Sequence, residues 1–172
     1  LYLLGDSTAN EAFREVALHD NMRIMPFMFG IIILILGWLF RNILAVVMPL
    51  FLCYASIGVT FGLMGWSGLI YNSMLAAIPG ILLAICLADA VHIFMSFFHF
   101  LSEGNAPKEA LIKSLHKNFK PTLMTSITTS VSFLTIAWTE IIPVSDLGLL
   151  AGFGTMMAWF YIYIFVGPIL SL

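Results

Sequence analysis

ILAVVMPLFLCYASIGVTFGLM, residues 43–64, contains no charged side chain. A helix needs about 20 consecutive apolar residues to cross the roughly 30 Å hydrocarbon core of a bilayer, and this run supplies them. Further apolar runs lie on both sides of it, at 23–40, 69–98, 121–138 and 147–172, separated by polar breaks. The whole chain of 172 residues is 61% hydrophobic and 9% charged, with a mean hydropathy of +1.04. A soluble domain carries roughly 25% charged residues. The pattern predicts an all-α membrane protein, a bundle of about five transmembrane helices.

The breaks carry the charge and set the orientation. Arg41 follows the first run, and Lys108, Lys113, Lys117 and Lys120 lie between the third and fourth. Positive charge favours the cytoplasmic side, so both breaks are expected there. The alternate breaks, 65–68 and 139–146, hold Glu140 and Asp146 but no Lys or Arg, as outside loops do. Residues 1–22 then fall outside. They are too polar for the membrane, with a turn at Gly5-Asp6-Ser7 and a short helix over 10–21, and they read as the end of an extracytoplasmic domain preceding a transmembrane domain at 23–172. The chain starts at Leu1 with no Met, basic leader or cleavage site, and reads as a segment of a longer protein. Within the long cytoplasmic break, Asn105 is a candidate cap, Pro107 suits a first helical position, and Leu111, Leu115 and Phe119 recur every fourth residue. A short amphipathic cytoplasmic helix over 105–119, lying on the inner leaflet with its lysines in water, is expected; a solvated connector is the alternative.

Several function classes are disfavoured. A net charge of -2 gives no basic field for nucleic acid. Cys53 and Cys86 lie inside apolar runs and read as small buried hydrophobes rather than as a metal cluster or disulfide framework. His19, His99 and His116 show no ligand spacing, and no zinc pattern, nucleotide loop or nucleophile elbow is present, so neither metal nor cofactor is expected.

One acid lies deep in a span. Placing Asp89 there costs about 2.5–3.5 kcal/mol or more on insertion scales, so it must be protonated or face a polar or watered cavity. In either case it can exchange a proton between states of different hydration. His92 follows three residues later on the same helix face and offers a second titratable group. The plainer alternative is that the two only satisfy each other or a neighbouring helix. In the fourth run Thr122, Thr125, Thr129 and Ser132 share helical spacing, with Thr128 adjacent. Asp89 is nine residues from the inner end of its span and Thr129 eight from the inner end of its own, so both sit about 12–14 Å deep. These hydroxyls can reach the carboxyl, or can bond their own backbone and pack. Gly58 with Gly62, and Gly148 with Gly152, have the four-residue spacing of close helix packing. Pro79-Gly80 predicts a kink or hinge about ten residues before Asp89.

At Leu87-Ala88-Asp89-Ala90-Val91-His92 the chain resembles the RND (resistance-nodulation-division) superfamily, nearest to the hydrophobe and amphiphile exporters related to MMPL and Patched proteins. The likeness continues through Glu109-Ala110-Leu111, the stretch Pro121-Thr122-Leu123-Met124-Thr125-Ser126-Ile127-Thr128-Thr129, and Asp146-Leu147-Gly148-Leu149. The resemblance implies that the five runs are helices two to six of the first six-helix half of a permease, and that residues 1–22 end its first porter domain. It further implies a proton relay in which Asp89 is the fourth-helix carboxylate and Thr125, Thr128 and Thr129 are the polar face of the next helix. Mycobacterial-type members carry Asp-Tyr where this chain has Asp89-Ala90, which makes His92 the candidate for the relay's second member.

The resulting expectation is a proton-driven exporter of a hydrophobic or amphiphilic molecule, not an enzyme, in a bacterial cytoplasmic (inner) membrane. Its partners are membrane lipids, the substrate and the remainder of the permease; a homo-oligomer or larger complex stays open. Two rivals remain: a sterol-sensing-like lipid receptor of the same architecture, and a non-transporting scaffold subunit in which Asp89 only packs. An intramembrane hydrolase lacks a nucleophile and a second carboxylate.

Overall fold

Arg41 and Asn42 end one helix and start another. Arg41 adopts a left-handed backbone conformation (φ 49°), and its N–H closes the preceding helix on the carbonyl of Gly37 at 3.0 Å. The Asn42 side chain then accepts the N–H of Leu44 at 2.9 Å, satisfying one of the donors that a helix start leaves unpaired. Such local signals divide the chain. The computed structural model describes residues 6–170, which form α1 (Asp6–Phe40), α2 (Ile43–Ser67), a 3-10 turn (Ser73–Ala77), α3 (Ile78–Ser102), α4 (Pro107–Ile136) and α5 (Ile142–Leu170), with no strand among the described residues.

The protein is an all-α membrane protein. By length and composition four stretches are able to cross a bilayer: Met22–Phe40, Ile43–Ser67, Ser73–Ser102 and Ile142–Gly167. Large apolar side chains such as Phe27, Leu34, Ile43 and Ile164 are exposed around the outside, while Ser56, Thr60, Asp89, Ser114, Asn118 and Ser126 are buried. That arrangement suits a hydrocarbon solvent, in which polar groups must find partners within the protein.

Five local expectations are corrected. The helix expected over 10–21 and the first span are one helix, α1, with Pro26 inside it. Of the turn expected at Gly5-Asp6-Ser7, Gly5 lies outside the described residues, and Asp6 and Ser7 are already helical. The amphipathic helix over 105–119 is likewise not separate: α4 runs unbroken through Pro121, and the side it buries is Ala110, Leu111, Ser114 and Asn118, with Phe119 exposed. Proline removes one N–H from a helix, and neighbouring helices and Ser/Thr side chains make this tolerable in a membrane bundle. Asn105 does not cap α4; its side chain donates to the carbonyl of Phe100, in the last turn of α3, at 2.8 Å and accepts from Lys113 at 2.6 Å. Pro79 is no mid-span kink, because α3 starts at Ile78 and proline in a first turn is already arranged for helix.

The helices pack as antiparallel neighbours. Ser130 on α4 donates to the carbonyl of Gly152 on α5 at 2.8 Å, and nearer the start of α4 Thr122 lies 2.8 Å from the hydroxyl of Tyr163. Rising numbers on one helix thus meet falling numbers on the other. Gly148 and Gly152 allow this approach: a Cβ on Gly148 would lie 2.6 Å from the carbonyl oxygen of Phe133, and one on Gly152 would lie 2.9 Å from the Leu134 side chain. Gly58 and Gly62 do not share that role, since an added Cβ at either meets nothing within 4 Å. Gly154 takes it instead, with Thr60 Oγ1 2.7 Å from where its Cβ would be and Ser56 donating to its carbonyl at 3.2 Å.

Candidate functional site

Asp89 lies on the side of α3 that faces α4, 5% exposed, between Ala88 and Ala90. Its Oδ2 accepts a hydrogen bond from Ser126 Oγ of α4 at 3.2 Å. Beside this pair is a cavity of about 280 Å³ whose polar lining comprises Asp89, His92, Asn118, Thr122, Thr125 and Thr129, together with Ser126 itself. At about 30 Å³ per molecule such a space admits several waters, and its polar walls offer them partners.

The floor of the cavity belongs to a hydrogen-bonded cluster. Thr122 Oγ1 donates to the carbonyl of Asn118 at 2.8 Å and receives the indole N–H of Trp159 at 3.2 Å. It also lies within bonding distance of the Tyr163 hydroxyl, so α4 and α5 are joined at this level. Asn118 donates to the carbonyl of Ser114 at 2.8 Å, and Ser114 donates to the carbonyl of Ile93 at 2.6 Å, which ties α4 to α3 one turn beyond Asp89. Aromatic rings seal the cluster: Phe119 meets Trp159 and Tyr163 edge-on, each at 5.2 Å between centroids.

The site therefore gathers most of the residues read from the sequence, though not all in the expected roles. Thr125 and Thr129 line the cavity with Asp89 and His92, and Thr125 donates to the carbonyl of Thr122 at 2.9 Å. Thr128 is turned away and exposed, donating to the carbonyls of Met124 and Thr125 at 2.9 and 3.0 Å. The hydroxyl that reaches Asp89 belongs to Ser126, where Thr128 or Thr129 was expected. At about 100° per residue Thr128 points some 200° around the helix from Ser126, whereas Thr129 keeps to the cavity side but lies three residues, about 4.5 Å, further along α4 than the hydroxyl that bonds Asp89. Ser126 and Asn118 had a readable signal. Ser114, Asn118, Thr122, Ser126 and Ser130 repeat every fourth residue and all five are buried.

His92 occupies a different position from the other polar residues. It is exposed, and no hydrogen bond or ion pair joins it to another of the described residues. On one side it lines the Asp89 cavity. On the other it is the polar end of a cleft of about 470 Å³ between α1 and α3, otherwise walled by apolar side chains including Met28, Ile32, Leu83, Leu87 and Val91. Ala88 and His92 belong to both spaces.

A buried carboxyl with a hydroxyl donor, beside a cavity large enough for water, can take up and release a proton. An adjacent apolar cleft of this size can hold a small lipid-like molecule, as ligand sites range over roughly 300–1,000 Å³. The family model of the Patched sterol-sensing domain (SSD) matches residues 20–172. No curated protein and no solved structure matches the chain.

Proposed function

This chain belongs to the Patched family, and from that premise we propose that it is the transmembrane part of a proton-driven exporter of a hydrophobic or amphiphilic, lipid-like molecule. The observation that carries the reading is Asp89, the carboxyl buried between α3 and α4 and bonded to Ser126 beside a polar cavity. Intramembrane acids are costly and mark proton or ion pathways by default. As a carboxylate, Asp89 accepts from Ser126. Once protonated it becomes a donor as well and no longer needs a charge-stabilising partner, so the preferred packing of α3 on α4 changes with its state. That shift of helix packing is the means by which a proton entering the cavity moves the rest of the permease, including a second six-helix half and the porter domains. A bacterial cytoplasmic membrane is the location this reading implies.

The experiment is transport by the complete protein reconstituted in vesicles under an imposed proton gradient. Asp89→Asn keeps the shape and most of the hydrogen bonding but removes the exchangeable proton, so transport is expected to fall to background while the protein level stays unchanged. Pumping by Asp89→Asn at the wild-type rate would remove the carboxyl from the mechanism.

The α1/α3 cleft favours a second reading, a lipid receptor of the sterol-sensing kind, in which the chain responds to an occupant and does not pump. Collapsing the gradient separates the two: an exporter stops, and a sensor retains its response to lipid.

A further inference from the structure

We infer that the hydrogen bond between Tyr163 and Thr122 is the cytoplasmic gate of the Asp89 cavity, and that its opening joins the cavity to a second space on the far side of the pair. The inference rests on reading Asp89 as a proton carrier, and adds the barrier that such a carrier needs on one side.

Two spaces meet at this bond without joining. Thr122 lines the cavity of about 280 Å³ that holds Asp89. Tyr163, its hydroxyl 2.8 Å from Thr122 Oγ1, lines a separate groove of about 290 Å³ whose other walls are Ile112, Leu115, His116 and Phe119 of α4. Neither residue lines the other's space, so the bonded pair is the partition between them. The groove lies toward the start of α4: its residues there precede Thr122 by three to ten positions, roughly 4–15 Å along the helix. Lys113, Lys117 and Lys120 share that stretch, and their charge places it on the cytoplasmic side.

In this closed arrangement Thr122 is saturated. A threonine hydroxyl offers one hydrogen and two lone pairs. Thr122 gives its hydrogen to the carbonyl of Asn118 and takes the indole N–H of Trp159, so the remaining lone pair receives the Tyr163 hydroxyl. Nothing is left on Thr122 for a cavity water, and a chain of hydrogen-bonded waters stops there. Tyr163 is the movable member of the pair. Thr122 and Trp159 are buried, whereas Tyr163 is only half-buried and borders a groove with room for its phenol. A swing into that groove breaks one hydrogen bond, frees a Thr122 lone pair for water, and makes the polar path continuous. A proton then leaves the Asp89 carboxyl for a cavity water and passes from water to water, each accepting one proton and releasing another. It emerges beside His116, the exposed base at the groove. While the gate is closed the proton stays on the Asp89 side, so the cavity does not dissipate the gradient.

The test uses the complete protein in inside-out membrane vesicles, with Thr129→Cys on the cavity wall as reporter. Ag⁺, a thiol reagent little larger than water, is applied to the cytoplasmic face in chloride-free buffer, and the thiol left unreacted is counted with a fluorescent maleimide after denaturation. Protein without the reporter sets the background from Cys53 and Cys86, both fully buried. Reaction at a gated site follows the population of the open form. Tyr163→Phe keeps the ring packed on Trp159 and Phe119 but loses the hydroxyl, and is expected to react roughly five-fold faster than the reporter alone, the population shift that one ordinary hydrogen bond supports. In reconstituted vesicles under a potassium diffusion potential, the same variant without the reporter is expected to leak protons faster than wild type, and adding Asp89→Asn is expected to abolish that leak. An Ag⁺ reaction in Tyr163→Phe no faster than in the reporter protein overturns the gate, whatever Asp89 does. Faster reaction without an Asp89-dependent leak leaves the gate standing and overturns the proton reading.

Discussion

Adding one methyl group at Gly148 should separate α4 from α5, and the cost follows from the distances. The Cβ of Gly148→Ala would lie 2.6 Å from Phe133 O, 2.7 Å from Ala137 N and 3.1 Å from Ile136 C, all backbone atoms. No side chain can swing aside. Ordinary contact begins at 3.4 Å, so the helices must part by about 0.8 Å, the difference from 2.6 Å. Two interhelical bonds lie in the path of that movement, Ser130 to the Gly152 carbonyl at 2.8 Å and Ser145 to the Ala137 carbonyl at 2.6 Å. Overpacking costs about 1–3 kcal/mol, and weakening each membrane hydrogen bond adds roughly 0.6 kcal/mol. Replacing a helical glycine by alanine returns about 1 kcal/mol of propensity. The net expectation is a loss of about 1–3 kcal/mol. Gly62→Ala is the matched control: its Cβ meets nothing within 4 Å, so only the propensity gain remains and the variant should equal or slightly exceed wild type. Unfolding by sodium dodecyl sulfate in mixed micelles, followed by the fluorescence of the four tryptophans, reads both. Equal midpoints for Gly148→Ala and wild type, or a Gly62→Ala midpoint lowered as far as that of Gly148→Ala, would refute the reasoning.

Asn72 ties the α2–α3 connection to α5 by accepting the N–H groups of Met74 and Leu75 and donating to Asp146 at 3.2 Å, so Asn72→Ala should cost about 1–2 kcal/mol and speed proteolysis of that connection; a cleavage rate equal to wild type would count against this. Trp159→Phe loses the indole bond to Thr122 but keeps ring contact with Phe119 and Tyr163, for an expected loss of about 0.5–1.5 kcal/mol against about 3–5 kcal/mol for Trp159→Ala, measured in the same detergent titration. His116→Cys, exposed on the lysine-bearing part of α4, should react with an impermeant maleimide only from the cytoplasmic face; labelling from outside intact cells would invert the topology. Ser114 is unsuited to that experiment because it is fully buried.

The sequence spoke clearly wherever a single local property decided the outcome. The charge-free run at 43–64 became α2, and the Asp89 and Gly148–Gly152 positions were legible from membrane cost and spacing. Helix continuity was not legible at residue 22 or at Pro121, since composition there reports a change of solvent and a missing N–H, and neither of these stops the helix. Gly58 and Gly62 failed for a related reason. Four-residue spacing states that two glycines share a face, and says nothing of whether a neighbour lies against that face. The cleft at His92 was out of reach as well, because it depends on how far α1 stands from α3.

α4 shows how the polar ladder and the membrane fit together. It is the one long helix missing from the stretches that qualify as spans by composition, yet it packs antiparallel along α5 from Thr122 beside Tyr163 to the backbone around Ala137 beside Gly148. That contact runs over fifteen residue steps, about 22 Å at 1.5 Å per step, most of the hydrocarbon thickness. A helix held against a transmembrane neighbour over that distance shares its environment. Hydropathy scores the hydroxyls of Thr122, Ser126 and Ser130 as if they met lipid, whereas each is buried and bonded within the bundle, to Asn118, Asp89 and Gly152 respectively. The same four-residue repeat that lowers the apparent hydrophobicity of α4 thus places a hydroxyl at Asp89. The exposed hydroxyls of Thr125, Thr128, Ser132 and Thr135 lower the mean hydropathy of α4 further, and each of them bonds a carbonyl of its own helix.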